Sequence, residues 1–177
     1  MLSTSIRMMI FWTILCGLVY PLGVTGLAQL LFPHQANGSP LAGGTGSELI
    51  GQDFQSPGHF WGRLSATSAH PDDAASSSGS NWGPNEPKLA DEMKAGAARY
   101  PKGAPLDLVT SSASGLDPDI TPEAARFQIA RVAKARKMDE AELSKLVEAH
   151  VQPASFGILG HARVNIVQLN SELDSKT

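Results

Sequence analysis

MMIFWTILCGLVYPLGVTGLAQLLF, Met8–Phe32, contains no charged residue. As a helix rising roughly 1.5 Å per residue it reaches about 37 Å, against a bilayer hydrocarbon core of about 30 Å. The chain after it is polar, rich in Gly, Ser and Pro, and carries nearly all the charge. The sequence therefore reads as residues 1–7 on the cytoplasmic side, a transmembrane anchor over 8–32, a linker over 33–46 and one folded domain over 47–177. The fold class expected is α+β: a single N-terminal transmembrane helix followed by one mixed α/β extracytoplasmic domain.

Gly26 and Ala28 match the small-residue pattern of a signal-peptide cleavage site, which is the rival reading. The apolar run continues past them through Leu30, Leu31 and Phe32, and the stretch before them exceeds the usual signal core of about 7–15 residues. An uncleaved anchor fits better. Only Arg7 lies on its short N-terminal side, and the next basic residue beyond it is Arg63, so the positive-inside bias places the N-terminus in the cytoplasm and the domain outside it. Inside the anchor, Pro21 would cost a soluble helix about 3 kcal/mol but is tolerated where neighbouring helices satisfy the freed carbonyl. Cys16, Gly23 and Gly26 fall on one side at helical spacing, a small-residue strip suited to close approach by a partner helix. A plain tether whose glycines carry no meaning is the alternative. No acidic or basic residue lies mid-membrane, so the helix itself is not expected to form an ion path.

About 145 residues remain outside the anchor, enough for one ordinary domain with a modest core. The 14 Lys and Arg include Arg7, so this part holds 13 basic against 17 acidic residues, which argues against a nucleic-acid partner. The sole cysteine, Cys16, lies in the anchor, so the domain has no internal disulfide and depends on packing or partners.

Along the domain, Leu49, Ile50 and Phe54, then Phe60, Trp61 and Leu64, read as two short strands or extended segments broken by Gly51, Pro57 and Gly58. Ala66–Pro84 has almost no apolar content except Trp82 and by composition alone reads as disordered. Asn85 caps a predicted helix from about Glu86 to Arg99, with Leu89, Met93 and Ala97 on one stripe. Leu106–Thr110 alternates as a short strand. Thr121, Pro122 and Glu123 form a strong helix start, predicting a helix to about Lys137 with Ala125, Ile129, Val132 and Ala133 as its apolar stripe and Phe127 opposite. Asp139 with Glu142 opens another, whose Leu143, Leu146, Val147 and His150 share a face. Ala162–Leu169 reads as a final strand. The 33–46 linker is expected to have little structure of its own.

The sequence lacks a Gly-x-Ser-x-Gly elbow, a His-Glu-x-x-His pair, a Walker loop and a cysteine pair. His34, His59, His70, His150 and His161 are spaced for no common metal site and read as surface or packing residues. Two loops stand out, Ser76–Pro84 (SSSGSNWGP) and Thr110–Pro118 (TSSASGLDP). Either could present backbone amides to an anion, though turn chemistry, with Ser and Asp capping their own backbone, is the favoured reading. Arg126, Arg131, Lys134, Arg136 and Lys137 on the following helix suit phosphate, an acidic protein surface or simply a solvated face. Asn81 and Trp82 are candidates for fixing the first loop to the domain or to a partner.

GSELIGQDF (46–54), FWGRLSA (60–66), SGSNWGP (78–84), SGLDPDITPEAARFQIARVAKAR (114–136) and RVNIVQLN (163–170), in this order behind an anchor, resemble the C subunits of bacterial Kdp potassium-transporting ATPases. The chain departs from that pattern at Leu64, where proline is usual, at Trp82, at Ser112 and Ala113, where a second glycine-serine unit is usual, and at Asp119, commonly histidine. The resemblance implies a non-catalytic subunit that stabilises a complex with a channel-like potassium-translocating subunit, a P-type ATPase subunit and a small membrane subunit. It also implies a catalytic chaperone that raises the ATPase subunit's ATP affinity. The serine-glycine loop of this family is proposed to touch ATP, which assigns Ser112, Ser114, Gly115 and Asp117 to nucleotide, without a tightly bound cofactor. That assignment conflicts with the orientation read from Arg7, because ATP is cytoplasmic. A freestanding membrane-tethered envelope binding protein or hydrolase is the other functional class.

Overall fold

The computed structural model describes residues 2–41 and 46–176. The chain divides into two compact units, the residues up to Pro40 and those from Leu41 on.

The first unit is helical. Helix α1 (Leu2–Ile14) passes through a single π-helical turn, Leu15–Val19, into α2 (Tyr20–Leu31). The continuous helix Ser3–Leu31 is long and apolar enough to cross a membrane. Its π turn has a local cause. Pro21 has no N–H to offer the Gly17 carbonyl, and its ring would press on that oxygen. The preceding turn widens, and the Tyr20 N–H reaches back five residues to Leu15 O. The linker is more ordered than its composition predicts. Pro33–Ala36 forms the short helix α3, the Asn37 amide donates to Pro33 O at 2.6 Å, and the Gln29 and Asn37 side chains exchange bonds of 3.2 and 3.3 Å. Residues 42–45 of the expected linker lie outside the described residues.

The second unit is α+β. Strands β1 (Asp119–Ile120), β2 (Val151–Gln152) and β3 (Arg163–Asn165) form an antiparallel sheet in the order β1-β3-β2, with Ile120 and Val151 both in register with Val164. Helices α4 (Pro87–Ala97), α5 (Pro122–Arg136), α6 (Glu140–Ala149) and α7 (Ile166–Ser175) complete it. The start of α5 is as expected: Thr121 Oγ1 accepts from the Ala124 N–H at 3.1 Å, and Pro122 occupies the first turn, where its missing N–H costs nothing. Its end is Lys137, in the left-handed region at φ 58°. Asp139 caps α6 through the Ala141 N–H. Ile129, Val132 and Ala133 of α5 join Leu143, Leu146 and Val147 of α6, with Val164, Ile166, Leu169 and Leu173, in one buried cluster. Each large aliphatic side chain there contributes roughly 1.5–3 kcal/mol of transfer free energy.

Several expectations are corrected. The 162–169 run is a strand only to Asn165, whose Oδ1 accepts from the Val167 and Gln168 N–H groups at 3.0 Å and turns the chain into α7. Leu106–Leu108 is a 3-10 turn, not a strand, because the Leu108 N–H closes back on Pro105 O. Glu86, not Asn85, is the N-cap of α4, and the buried position on that helix is Gly96 rather than Ala97. Phe127 is half-buried and packs edge-on to Tyr100, 6.2 Å between ring centres. Residues 49–64 form no named strand; one bridge pairs Leu64 with Ser111. Ala66–Pro84 is ordered, including a 3-10 turn at Ala74–Ser76 capped by Asp73.

Candidate functional site

The two serine-rich loops meet. Ser77 Oγ donates to Ser114 O at 2.9 Å, and Ser65 Oγ donates to Gly115 O at 2.7 Å while accepting from the Asp72 N–H at 2.9 Å. Ser78 Oγ donates to Ala66 O, the Ser112 N–H to Leu64 O and the Gly51 N–H to Leu116 O, all between 2.8 and 2.9 Å. Glycine makes the approach possible at two points. A Cβ on Gly79 would lie 2.6 Å from Ala113 O, and one on Gly115, already at φ 69°, would lie 2.7 Å from Ser78 O.

Beside this junction is a cleft of roughly 100 Å³ whose lining includes Asp53, Asp72, Asp117, Arg63 and Arg99. Arg63 crosses it, donating to Asp117 Oδ2 at 3.0 Å and to Ser111 O at 3.1 Å. The Asp72 carboxyl is pushed up from 3.8 to about 6, first by burial, then by the Asp53 carboxylate, against a smaller pull from His70. Asp119, at 3.0 Å from Arg163, is raised as well because burial outweighs that cation.

The residues assigned to nucleotide are adjacent but turned to different partners. Ser112 is buried, and among the described residues its hydroxyl has no bonding partner. Ser114 Oγ accepts from the Leu116 N–H at 3.1 Å. Gly115 supplies a carbonyl to Ser65, and Asp117 Oδ1 accepts from the Asp119 N–H at 3.0 Å while Oδ2 meets Arg63. The Ser114 and Asp117 Oδ1 bonds cap the turn itself, whereas the Gly115 carbonyl and Asp117 Oδ2 tie it to the Arg63–Ser65 segment. The Ser65, Ser77 and Ser78 hydroxyls each lie within hydrogen-bond distance of a backbone carbonyl, the geometry of loop-fixing bonds.

Among the residues assigned to partners, Trp82 is 37% exposed. Its indole N–H donates to Glu92 Oε2 at 2.7 Å, and the Lys88 ammonium sits 4.9 Å from the ring centre. Asn81 takes φ 53° and donates to Gly79 O at 3.1 Å. Gly23 and Gly26 share one side of α2, and among the described residues a Cβ added at either would meet nothing within 4 Å beyond the helix's own backbone. Cys16 lies inside the π turn Leu15–Val19, so the regular α-helical spacing that groups it with Gly23 and Gly26 does not hold across that turn.

The basic residues of α5 are largely used within the domain. Arg126 meets Glu148 with two bonds of 2.6 and 2.9 Å. Arg131 donates to Pro57 O and His59 O and stacks 3.8 Å from the Trp61 ring centre, and burial pulls its guanidinium down to about 10. Arg136 bonds Gly58 O at 2.6 Å and pairs with Asp174. His59 and His150 face Asp174 and Glu172 at 3.1 and 3.2 Å. Among the described residues no group of three His, Cys, Asp or Glu stands close enough to hold a metal ion.

The family model described as "KdpC: K+-transporting ATPase, c chain" matches residues 2–175. The chain belongs to the KdpC family. Relatives named potassium-transporting ATPase KdpC subunit, from Burkholderia mallei (strain SAVP1) and Burkholderia pseudomallei (strain K96243), are each 50% identical over 169 residues, 90% of this chain and 88% of theirs. The one from Burkholderia vietnamiensis (strain G4 / LMG 22486) is 50% identical over 173 residues, covering 92% and 90%. In this KdpC-family chain the five sequence blocks supply the loop junction, through Gly51, Arg63, Ser65, Gly79 and Gly115, together with α5 and the β3–α7 corner. Sequence reasoning singled out both loops but missed Asp72. Its signal is weak, an acidic pair Asp72–Asp73 in a stretch with almost no apolar content.

Proposed function

We propose that the chain is a non-catalytic subunit of a high-affinity, ATP-driven potassium uptake complex. In this reading the Ser3–Leu31 helix holds it in the cytoplasmic membrane, and the domain from Leu41 on stands outside the cytoplasm. The observation that carries the reading is the family match over residues 2–175, anchor included. The lone Arg7 before the apolar span supports the orientation. Its partners are the channel-like potassium-translocating subunit, the P-type ATPase subunit and the small membrane subunit, with Gly23 and Gly26 admitting a neighbouring helix. The chaperone effect on ATP affinity then acts through subunit packing: ATP is cytoplasmic, and the polar groups of Ser114 and Asp117 already serve their own turn.

Affinity purification of the tagged chain from gently solubilised membranes tests this. Co-elution of a multi-span channel-like protein and a P-type ATPase is expected, with Gly23→Leu/Gly26→Leu lowering the yield of complex while insertion persists. Elution of the wild-type chain alone favours a freestanding envelope protein and overturns the proposal. A reporter fused after Thr177 should be active only if it works outside the cytoplasm.

A further inference from the structure

The connection from β2 to β3 carries an apolar tip. Ser155 and Leu159 exchange two backbone hydrogen bonds, 2.9 and 3.0 Å, and the Gly157 N–H adds a third to Ala154 O at 2.9 Å. Beyond this clasp Phe156 and Ile158 are 93% and 82% exposed, with Leu159 at 58%. Phe156 also takes φ 54°, a left-handed conformation that bulky residues rarely adopt. At that exposure the ring takes no part in the domain's core, so the three bonds of the clasp hold this backbone without help from side-chain packing. Strain of this kind concentrates at functional positions.

Resting on the function proposed above, we propose that Phe156, Ile158 and Leu159 form a pre-organised plug that seats in an apolar pocket on the outer face of a membrane-embedded protein subunit of the same complex. Two observations select this occupant. The tip is not built for lipid: residues 153–162 contain no Lys or Arg, and the domain holds 13 basic against 17 acidic residues, whereas attraction to an anionic bilayer needs basic residues near the surface. The tip is also too small to capture a freely diffusing protein, since stable interfaces bury on the order of 1,000 Å² or more. It suits a partner already held nearby by another contact. The Ser3–Leu31 helix supplies that contact, converting the second docking step into an intramolecular one. The clasp keeps the ordering cost of docking low.

The test uses the full chain expressed with its complex in native membranes. p-Benzoylphenylalanine in place of Phe156 should crosslink, on illumination, to a multi-span protein subunit. Phe156→Asn/Ile158→Thr, chosen because asparagine accepts left-handed φ, should lower the fraction of complex retaining the chain after detergent washing at least fivefold with an unchanged melting temperature. Crosslinks only to lipid or to a second copy of the chain overturn the plug, as does unchanged retention of the double variant. If that variant misfolds, the crosslink alone decides. Wild-type chain eluting alone defeats the subunit reading itself, whereas wild-type co-elution without the crosslink defeats only the plug.

Discussion

The carboxamide of Asn170, on α7, holds the backbone of Phe60 at both its polar groups: Oδ1 accepts from the Phe60 N–H at 2.8 Å, and Nδ2 donates to the Phe60 carbonyl at 2.9 Å. Gln128, on α5, does the same for Trp61, at 2.9 and 3.0 Å. Two helix side chains thus replace the neighbouring strand that an extended segment would otherwise need. Phe60 can be completely buried without leaving its peptide groups unpaired.

Asn170→Leu, nearly the same size, should therefore be costly. It strands a buried N–H and a buried carbonyl, roughly 2–6 kcal/mol in total at about 1–3 kcal/mol each. Denaturant unfolding of the full chain in micelles, followed by tryptophan fluorescence, reads the loss. A change below about 1 kcal/mol would mean that water or a shifted backbone satisfies both groups.

This pairing also marks where the sequence stopped being legible. Local signals worked: Thr121-Pro122 and Asp139 begin α5 and α6, because a cap is decided by residues two or three positions apart. The extended Phe60–Leu64 segment was readable as extended, but its partners lie 67 and 110 residues away on helices, which no periodicity reports. Ala66–Pro84 reads as disordered because its ordering bonds are long-range, Ser77 to Ser114 spanning 37 residues. At Asn165 two signals overlap, since a β-branched run before the cap and a helical stripe after it share the same apolar residues. The loops of the candidate site were conspicuous in composition, whereas their meeting, and the burial of Asp72 beside them, exist only in three dimensions.

Asp72 gives the domain a pH signature. Its folded carboxyl titrates near 6 and its unfolded one near 3.8, so the folded state binds the proton more tightly. The stability this provides is complete below pH 3.8 and is lost as pH rises through about 6. Asp72→Asn keeps a residue that tolerates the φ of 57° found here and removes the titration. It should be more stable than wild type above pH 6 by roughly 1 kcal/mol, the raw shift being discounted for a half-exposed group, with the difference vanishing below pH 4. Paired melting curves from pH 4 to 8 check it; a constant offset would rule Asp72 out as the source.

Trp82 clamps the first serine loop to α4 by one indole hydrogen bond and one cation–π contact rather than by full burial. Trp82→Ala should cost about 1 kcal/mol, below the usual cost of emptying a core position. Glu92→Gln, which weakens the same clamp from the other side, should be non-additive with it. Additive losses would show that the two side chains act independently.

Asp117 separates the structural from the nucleotide reading of the second loop. Asp117→Ala removes the acceptor for the Asp119 N–H and takes the carboxylate from Arg63, which keeps its bond to Ser111 O in a partly buried site, for an expected loss of roughly 1–3 kcal/mol. Asp117→Asn retains an acceptor for that N–H and should lose less. On the proposed orientation neither variant changes the apparent affinity of the complex for ATP at temperatures where the domain remains folded. ATP dependence of hydrolysis and melting, measured on the same preparations, give opposite patterns for the two readings. Lower stability with unchanged ATP affinity fits a capped turn outside the cytoplasm. Weakened ATP affinity with unchanged melting would require the loop to reach nucleotide, and the orientation drawn from Arg7 would have to be reversed.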